Sequence, residues 1–251
     1  LTALPDWLRS LPGGTICIVN AATNADMQAA AWALMQAEAH GKRYLYRTAA
    51  SFVAARIGLE PRGLLTANDL KSEQGRGILF AVGSYVPKTT AQLNRLLPHL
   101  GNYRYELDVP ALLDKSKRER HIRDIVQRLS SDLAEDRAVA VFTSRELVSR
   151  KGQDSLNVGR QVSRALVAIV SQLSQRPRLL VTKGGITSSD IATDACLVER
   201  AMVMGQILPG VPVWRCGPDS RFPGLPLVVF PGNVGADEAV VTGVKAVCSS
   251  R

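Results

Sequence analysis

Residues 77–100, GILFAVGSYVPKTTAQLNRLLPHL, decide how the chain is read. Gly77–Val82 is a short apolar run, the pattern of a strand buried on both faces. Gly83 and Ser84 break it, and Leu93, Leu96, Leu97 and Leu100 then recur at helical spacing on one face. The same order of apolar run, small-residue turn and amphipathic helix repeats downstream. Ala138–Thr143 (AVAVFT) reads as a strand, and a helix over Asn157–Gln175 puts Val162, Leu166, Ile169, Val170 and Leu173 on one face. Arg178–Thr182 (RLLVT) is a strand broken by Lys183, Gly184 and Gly185, with a helix predicted over Thr187–Ala195. Between these units, Tyr103–Val109 reads as an edge strand ending at Pro110. A charged helix follows it, with Ile122, Ile125, Val126, Leu129 and Leu133 at helical spacing. Strands alternating with helices predict an α/β fold with a mainly parallel sheet flanked by helices.

Toward the C-terminus, Val198–Ile207, Val211–Trp214 and Leu227–Phe230 read as strands and Asp237–Val247 as a last helix. Toward the N-terminus, Thr15–Asn20 (TICIVN) reads as a strand. A helix follows from an Asn24 cap to a Gly41 stop, with Met27, Ala30, Ala31, Leu34 and Ala37 on one face. Tyr44–Tyr46 reads as a second strand and Phe52–Ile57 as a short helix, which together predict a β-α-β unit. Pro61–Arg76 is polar and irregular and reads as a linker.

Hydrophobic residues make up 46% of the 251, enough for a core without a disulfide scaffold. The most apolar stretches, Ala165–Val170 and Leu225–Phe230, fall far short of the about 20 residues that span a bilayer. Leu1–Leu11 carries Pro5 and Asp6 and lacks the pattern of a signal peptide, while Leu1 in place of Met predicts that a segment has been removed from the front. Cys17, Cys196, Cys216 and Cys248 form no CxxC pair, which favours reduced thiols in a cytoplasm over paired disulfides. The charge of +9 leaves nucleotides, acidic metabolites and nucleic acids open as partners. Lys115–Arg123 (KSKRERHIR) is the densest basic run, but it lacks interleaved aromatics and reads as a solvated helix face. His40, His99 and His121 sit near helix ends or on a charged helix, as solvated or capping groups do.

Four strand ends carry turns of small or polar residues: Gly83-Ser84, Thr143-Ser144-Arg145, Lys183 through Ser189, and Pro231 through Gly235. In an open α/β sheet, ligands bind beyond the carboxyl ends of the strands. Small residues there let backbone N–H groups approach a phosphate, and helix starts add partial positive charge. The pattern predicts a phosphate-binding rim. It contains neither a P-loop signature nor a G-x-G-x-x-G fingerprint, and the G-x-S-x-G elbow and HExxH are absent too.

Six phrases resemble the four-carbon acid sugar kinase family. They are Tyr46–Val53, Val82–Gln92, Thr143–Glu146, Lys183–Asp190, Gly205–Pro212 and Phe230–Gly235, in consistent order along almost the whole chain. The resemblance implies a two-domain ATP-dependent kinase. Its N-terminal domain would bind a threonate, erythronate or 3-oxo-tetronate and its C-terminal domain ATP with Mg2+, with transfer to a terminal hydroxyl. It implies nucleotide contacts at Ser84, at Gly184, Gly185, Ile186 and Thr187, and at Gly232, Asn233 and Gly235. Residues 1–66 resemble only the end of the N-terminal domain, and 67–251 the whole C-terminal one, so this chain alone is expected to be inactive. Many members carry an acidic residue where this chain has Ile186, which removes a metal ligand there; no metal-binding residue is assigned. Asp190 is the substitute, or simply a helix-start Asp. Lys183 is read either as a phosphate neutraliser or as a solvent-facing strand end, and Arg47 and Ser51 as acid-substrate contacts or linker ties. No catalytic base is assigned. The partner expected is a small-molecule acid sugar, with no nucleic acid and no membrane, and a homo-oligomer stays open. The rival reading is a non-catalytic nucleotide- or metabolite-binding module.

Overall fold

The run Ile78–Val82 forms β1, and every residue of it is buried. In the computed structural model, residues 3–60, 62–72, 74–144 and 153–248 are described, those at 153–157 and 244–248 by backbone alone. Two units are distinguished, Leu1–Arg62 and Gly63–Arg251.

The second unit is a seven-stranded sheet between two layers of helices. In chain order it comprises β1, α4 (Pro87–Leu100), β2 (Arg104–Leu107), α5 (Val109–Leu113), α6 (Lys115–Ala134) and β3 (Ala138–Thr143). Then come α7 (Gln153–Ser171), β4 (Leu179–Lys183), α8 (Gly185–Asp190), β5 (Ala201–Leu208), β6 (Val211–Cys216), β7 (Pro226–Phe230) and α9 (Ala239–Cys248). The sheet order is β2-β3-β1-β4-β7-β6-β5. The first five strands run parallel, while β6 and β5 are antiparallel additions at one edge. The chain goes from β1 outward to β2, returns through β3, and crosses to the other side of β1 to form β4. The winding direction therefore reverses between β1 and β4, and this crevice is where open α/β sheets take ligands.

Alternate residues of each strand point to opposite faces and build two cores. Leu79, Ala81, Val139, Val141 and Leu180 pack with Leu129 and Leu133 of α6 and Leu166 and Ile169 of α7. Ile78, Phe80, Val82, Val181 and Phe230 pack with Leu93 and Leu96 of α4 and Val240 of α9. The predicted edge strand is β2, at the end of the sheet. Its neighbour α6 keeps Lys115, Lys117, Arg120 and Arg123 in solvent, where Lys117 pairs with Asp114 and Arg120 with Asp124. Three helices depart from expectation: α5 forms where the sequence predicts a strand ending at Pro110, α7 covers Gln153–Ser171 rather than Asn157–Gln175, and α8 starts at Gly185 rather than Thr187 and widens into a π-helical turn over Ile191–Ala195.

The first unit holds α1 (Leu4–Ser10), α2 (Asn24–Ala39) and α3 (Ala50–Arg56). Leu8, Ala31, Ala33, Leu34, Ala37 and Phe52 form its core. The cap of α2 is Thr23, one residue before the expected Asn24. Thr23 Oγ1 accepts from Asp26 N–H at 3.2 Å, and Asp26 Oδ2 accepts from Thr23 N–H at 2.9 Å. This reciprocal pair uses both side chains, which an Asn24 cap would not. Gly41, at φ 91°, ends the helix as expected, with Gly41 N–H on Glu38 O and Lys42 N–H on Ala37 O.

The two predicted N-terminal strands do not form. Neither Thr15–Asn20 nor Tyr44–Tyr46 pairs in a ladder among the described residues, and the expected β-α-β unit is absent from them. Ile16 and Ile18 are 89% and 81% exposed and Leu45 is wholly so. A strand exists only through its hydrogen-bonding neighbour, and the described residues of this unit supply none. Cys17, Cys196 and Cys216 are free thiols, the last two buried; Cys248 lies outside the described side chains.

Candidate functional site

The carboxyl ends of β1, β4 and β7 lie in register, Val82 beside Lys183 and Lys183 beside Phe230. Three of the four predicted turns therefore leave the sheet side by side. Gly83 and Ser84 N–H both donate to Lys183 O at 3.4 Å, and Gly184 N–H donates to Phe230 O at 2.9 Å. The fourth turn begins at Thr143 and Ser144; Arg145 and Glu146 lie outside the described residues.

The glycines are set by close approach. A Cβ on Gly83 would collide with Thr187 Oγ1. One on Gly184 would sit 2.9 Å from Ser84 Cβ, and the φ of 114° there already excludes side chains. One on Gly232 would lie 3.2 Å from Ser84 Oγ. Ser84 thus lies against both Gly184 and Gly232, and Thr187 lies against Gly83 and Gly184, so the three turns are packed together. Gly185, Ile186, Asn233 and Gly235 form the exposed side of the same two loops.

Buried hydroxyls fix the Gly184–Thr187 turn. Ser188 Oγ donates to Gly184 O at 2.7 Å, and the single Thr182 hydroxyl proton lies between two acceptors, Ser188 Oγ at 2.9 Å and Val228 O at 3.0 Å. The first-turn N–H groups of a helix have no intrahelical acceptor, so Gly185, Ile186 and Thr187 present free donors at this rim. Asp190 lies at the end of α8, not its start, and accepts from Ser163 of α7, which replaces the helix-start reading.

Lys183 overturns one of its two readings. It is 2% exposed, so it is no solvent-facing strand end. Its ammonium donates to Pro231 O and, at 3.2 Å, to Gly232 O, and stands 4.2 Å from the centre of the Phe230 ring. Burial, with Lys88 nearby, lowers its pKa to about 8. Sequence reasoning missed Thr89 and Gln92 on α4. Both are wholly buried, and both donate to the Pro231–Ala236 segment. The available signal was a pair of polar residues interrupting the apolar stripe that contains Leu93, Leu96 and Leu100.

In the first unit, Arg47 and Ser51 are both exposed. Tyr46 is pinned instead: its hydroxyl donates to Glu38 at 2.7 Å, Arg56 pairs with the same carboxylate, and Phe52 stacks on its ring at 5.3 Å. Burial and the Glu38 hydrogen bond raise the pKa of Tyr46 far above the ordinary phenol value. Among the described residues, no group of three or more His, Cys, Asp and Glu is placed to hold a metal ion, and no helix is long and apolar enough to cross a membrane.

Comparison with known families matches residues 79–240 to a nucleotide-binding C-terminal domain and residues 2–56 to a sugar-binding N-terminal domain. No curated protein sequence matches the chain. Among solved structures, a Salmonella typhimurium LT2 protein given a provisional tRNA synthase name superposes with a TM-score of 0.65 at 14% identity. That match covers 92% of this chain and 52% of the other. A domain of unknown function from Bordetella bronchiseptica, crystallised with citrate as a domain-swapped dimer, gives a TM-score of 0.55 at 16% identity. It is matched over 90% of this chain and 52% of its own. At these identities the likeness is one of fold, and the chain spans about half the length of the solved structures it matches.

Proposed function

This chain belongs to the four-carbon acid sugar kinase family, and on that basis we propose that its second unit binds ATP and serves an ATP-dependent sugar-acid kinase. The observation that carries the reading is the convergence of Ser84, Gly184–Thr187 and Gly232–Gly235 at the β1/β4 reversal. Phosphoryl transfer asks chiefly for positioning and charge neutralisation. Backbone N–H groups at Gly185, Ile186 and Thr187 and in the 232–235 loop supply donors for phosphate oxygens, and Ser84 adds a hydroxyl. The rim suits ATP in its chemistry: small residues, outward N–H groups and a buried cation beneath. ATP, when bound, supplies the phosphoryl group. Mg2+ would enter with the phosphates, since the described carboxylates form no ion-binding cluster. The acceptor is a four-carbon sugar acid of the threonate, erythronate or 3-oxo-tetronate type, phosphorylated at a terminal hydroxyl. Residues 1–66 then belong to the sugar-binding part and 67–251 to the nucleotide-binding part.

A second reading, a nucleotide- or metabolite-binding module without catalysis, is favoured by the unpaired extended runs of the first unit. Calorimetric titration with Mg-ATP tests binding by this chain. Phosphorylation of threonate and erythronate, assayed in a protein carrying this chain with a complete sugar-binding domain, tests the kinase. ATP binding without transfer to any four-carbon sugar acid there would leave the module reading standing.

A further inference from the structure

We propose that Lys183 is a positioning residue of the nucleotide site: with Thr89 and Gln92 it holds the Pro231–Ala236 loop carbonyls inward, so that the loop N–H groups face the phosphates over a buried positive charge. The proposal rests on the nucleotide reading above and names what builds that site.

The loop's carbonyls are the starting point. Pro231 O accepts from Lys183, and Gly232 O accepts from Lys183 at 3.2 Å and from Thr89 Oγ1 at 2.8 Å. Val234 O, Gly235 O and Ala236 O accept from Gln92 Nε2 at 2.9, 3.4 and 2.8 Å. All described peptide bonds are trans, and in a trans peptide the carbonyl and the next N–H point in opposite directions. Tying those carbonyls to the interior turns the N–H groups of Gly232, Asn233, Gly235, Ala236 and Asp237 outward. None of the five donates to an acceptor among the described residues. Gly235, at φ 83°, allows the bend, and a Cβ on it would lie 2.5 Å from Ala239 Cβ.

Buried polar groups normally satisfy one another. Here two wholly buried polar residues and a buried ammonium direct their donors at one surface loop instead. A neutral amide suffices to hold carbonyls, as Gln92 shows, so the charge on Lys183 needs a separate account. Among the described residues Lys183 has no carboxylate partner; the ring of Phe230 and the cation Lys88 face it, and Lys88 pairs with Asp237 at 3.2 Å. Arg95 and Glu238 pair farther along the loop, at 3.1 Å. A bound phosphate supplies the countercharge that the protein withholds.

The test is ATP titration calorimetry on the 251-residue chain between pH 7.2 and 9.5, above the last ATP ionisation. Affinity in the wild type is expected to fall as pH rises through the Lys183 range. Lys183→Met is expected to weaken ATP about tenfold at pH 7.2, the scale of one charge-assisted interaction, and to flatten the pH profile. Lys88→Met removes a half-exposed neighbouring charge and is expected to keep the affinity at pH 7.2 within about threefold and to move the fall in affinity to higher pH, because Lys88 contributes to lowering the Lys183 pKa. Equal affinity and an unchanged profile in Lys183→Met would overturn the proposal. A variant that fails to fold shifts the decision to the wild type, whose Gly232 and Gly235 amide resonances should titrate with Lys183; amides that stay still would also overturn it. If the wild type binds no ATP, the nucleotide reading falls, and the same amide titration decides the positioning role alone.

Discussion

Two short apolar runs, Thr15–Asn20 and Ile78–Val82, have similar β-rich sequences and opposite fates. The second is wholly buried between β3 and β4, while the first carries Ile16 and Ile18 almost fully in solvent. Side-chain type makes both runs extended; ladder partners and covering helices make only one of them a strand. The contrast extends to glycines. Gly41 ends α2 with open space around it, whereas Gly184 is wedged against Ser84 and Thr187. One region uses its special residues for local turns, the other for bringing distant turns together.

The largest expected effect is in hydrogen exchange. Amides of Ile78–Val82 should exchange only on global unfolding, and those of 15–20 orders of magnitude faster; comparable protection of both would erase the contrast. Next, Phe80→Ala should lower stability by about 3–5 kcal/mol, read as a urea midpoint by circular dichroism, while Ile18→Ala should change it by under about 0.5 kcal/mol. Then Gly184→Ala, at φ 114°, should cost about 1–3 kcal/mol and most ATP binding. Gly41→Ala should lose a smaller amount and leave ATP titration unchanged. The smallest effect is a pH dependence from Lys183, whose pKa is lowered to about 8 when folded. Between about pH 8 and the ordinary lysine range, the unfolded chain holds more protons than the folded one. Stability from this group therefore rises with pH across that window, and Lys183→Met should remove the rise from urea midpoints.

Much of the second unit was legible in the sequence. The sequence marks Gly77–Val82, Ala138–Thr143 and Arg178–Thr182 as short apolar runs ended by small-residue turns, and the structure has strands at Ile78–Val82, Ala138–Thr143 and Leu179–Lys183. Ser84, Gly184, Thr187 and Gly232 lie in small-residue turns that the sequence marks at strand ends; such turns need Gly and Ser in any case, so singling these residues out rested on the family resemblance. Thr89 and Gln92 left only a faint signal, two polar residues on the apolar stripe of α4, and their partners came to light only with the loop that lies over them. The π-helical turn at Ile191–Ala195 left no signal, since no Pro or Gly marks it.

Periodicity and turn chemistry are local properties, and they were enough to fix the α/β class, most strands of the sheet and the positions of the small-residue turns at the strand ends. Burial and pairing are not local. Whether Thr15–Asn20 becomes a strand, whether Lys183 faces water or supports a loop, and which turns share one rim depend on what other parts of the chain place alongside. A side chain's surroundings are set by residues far away in sequence, so those answers came from packing alone.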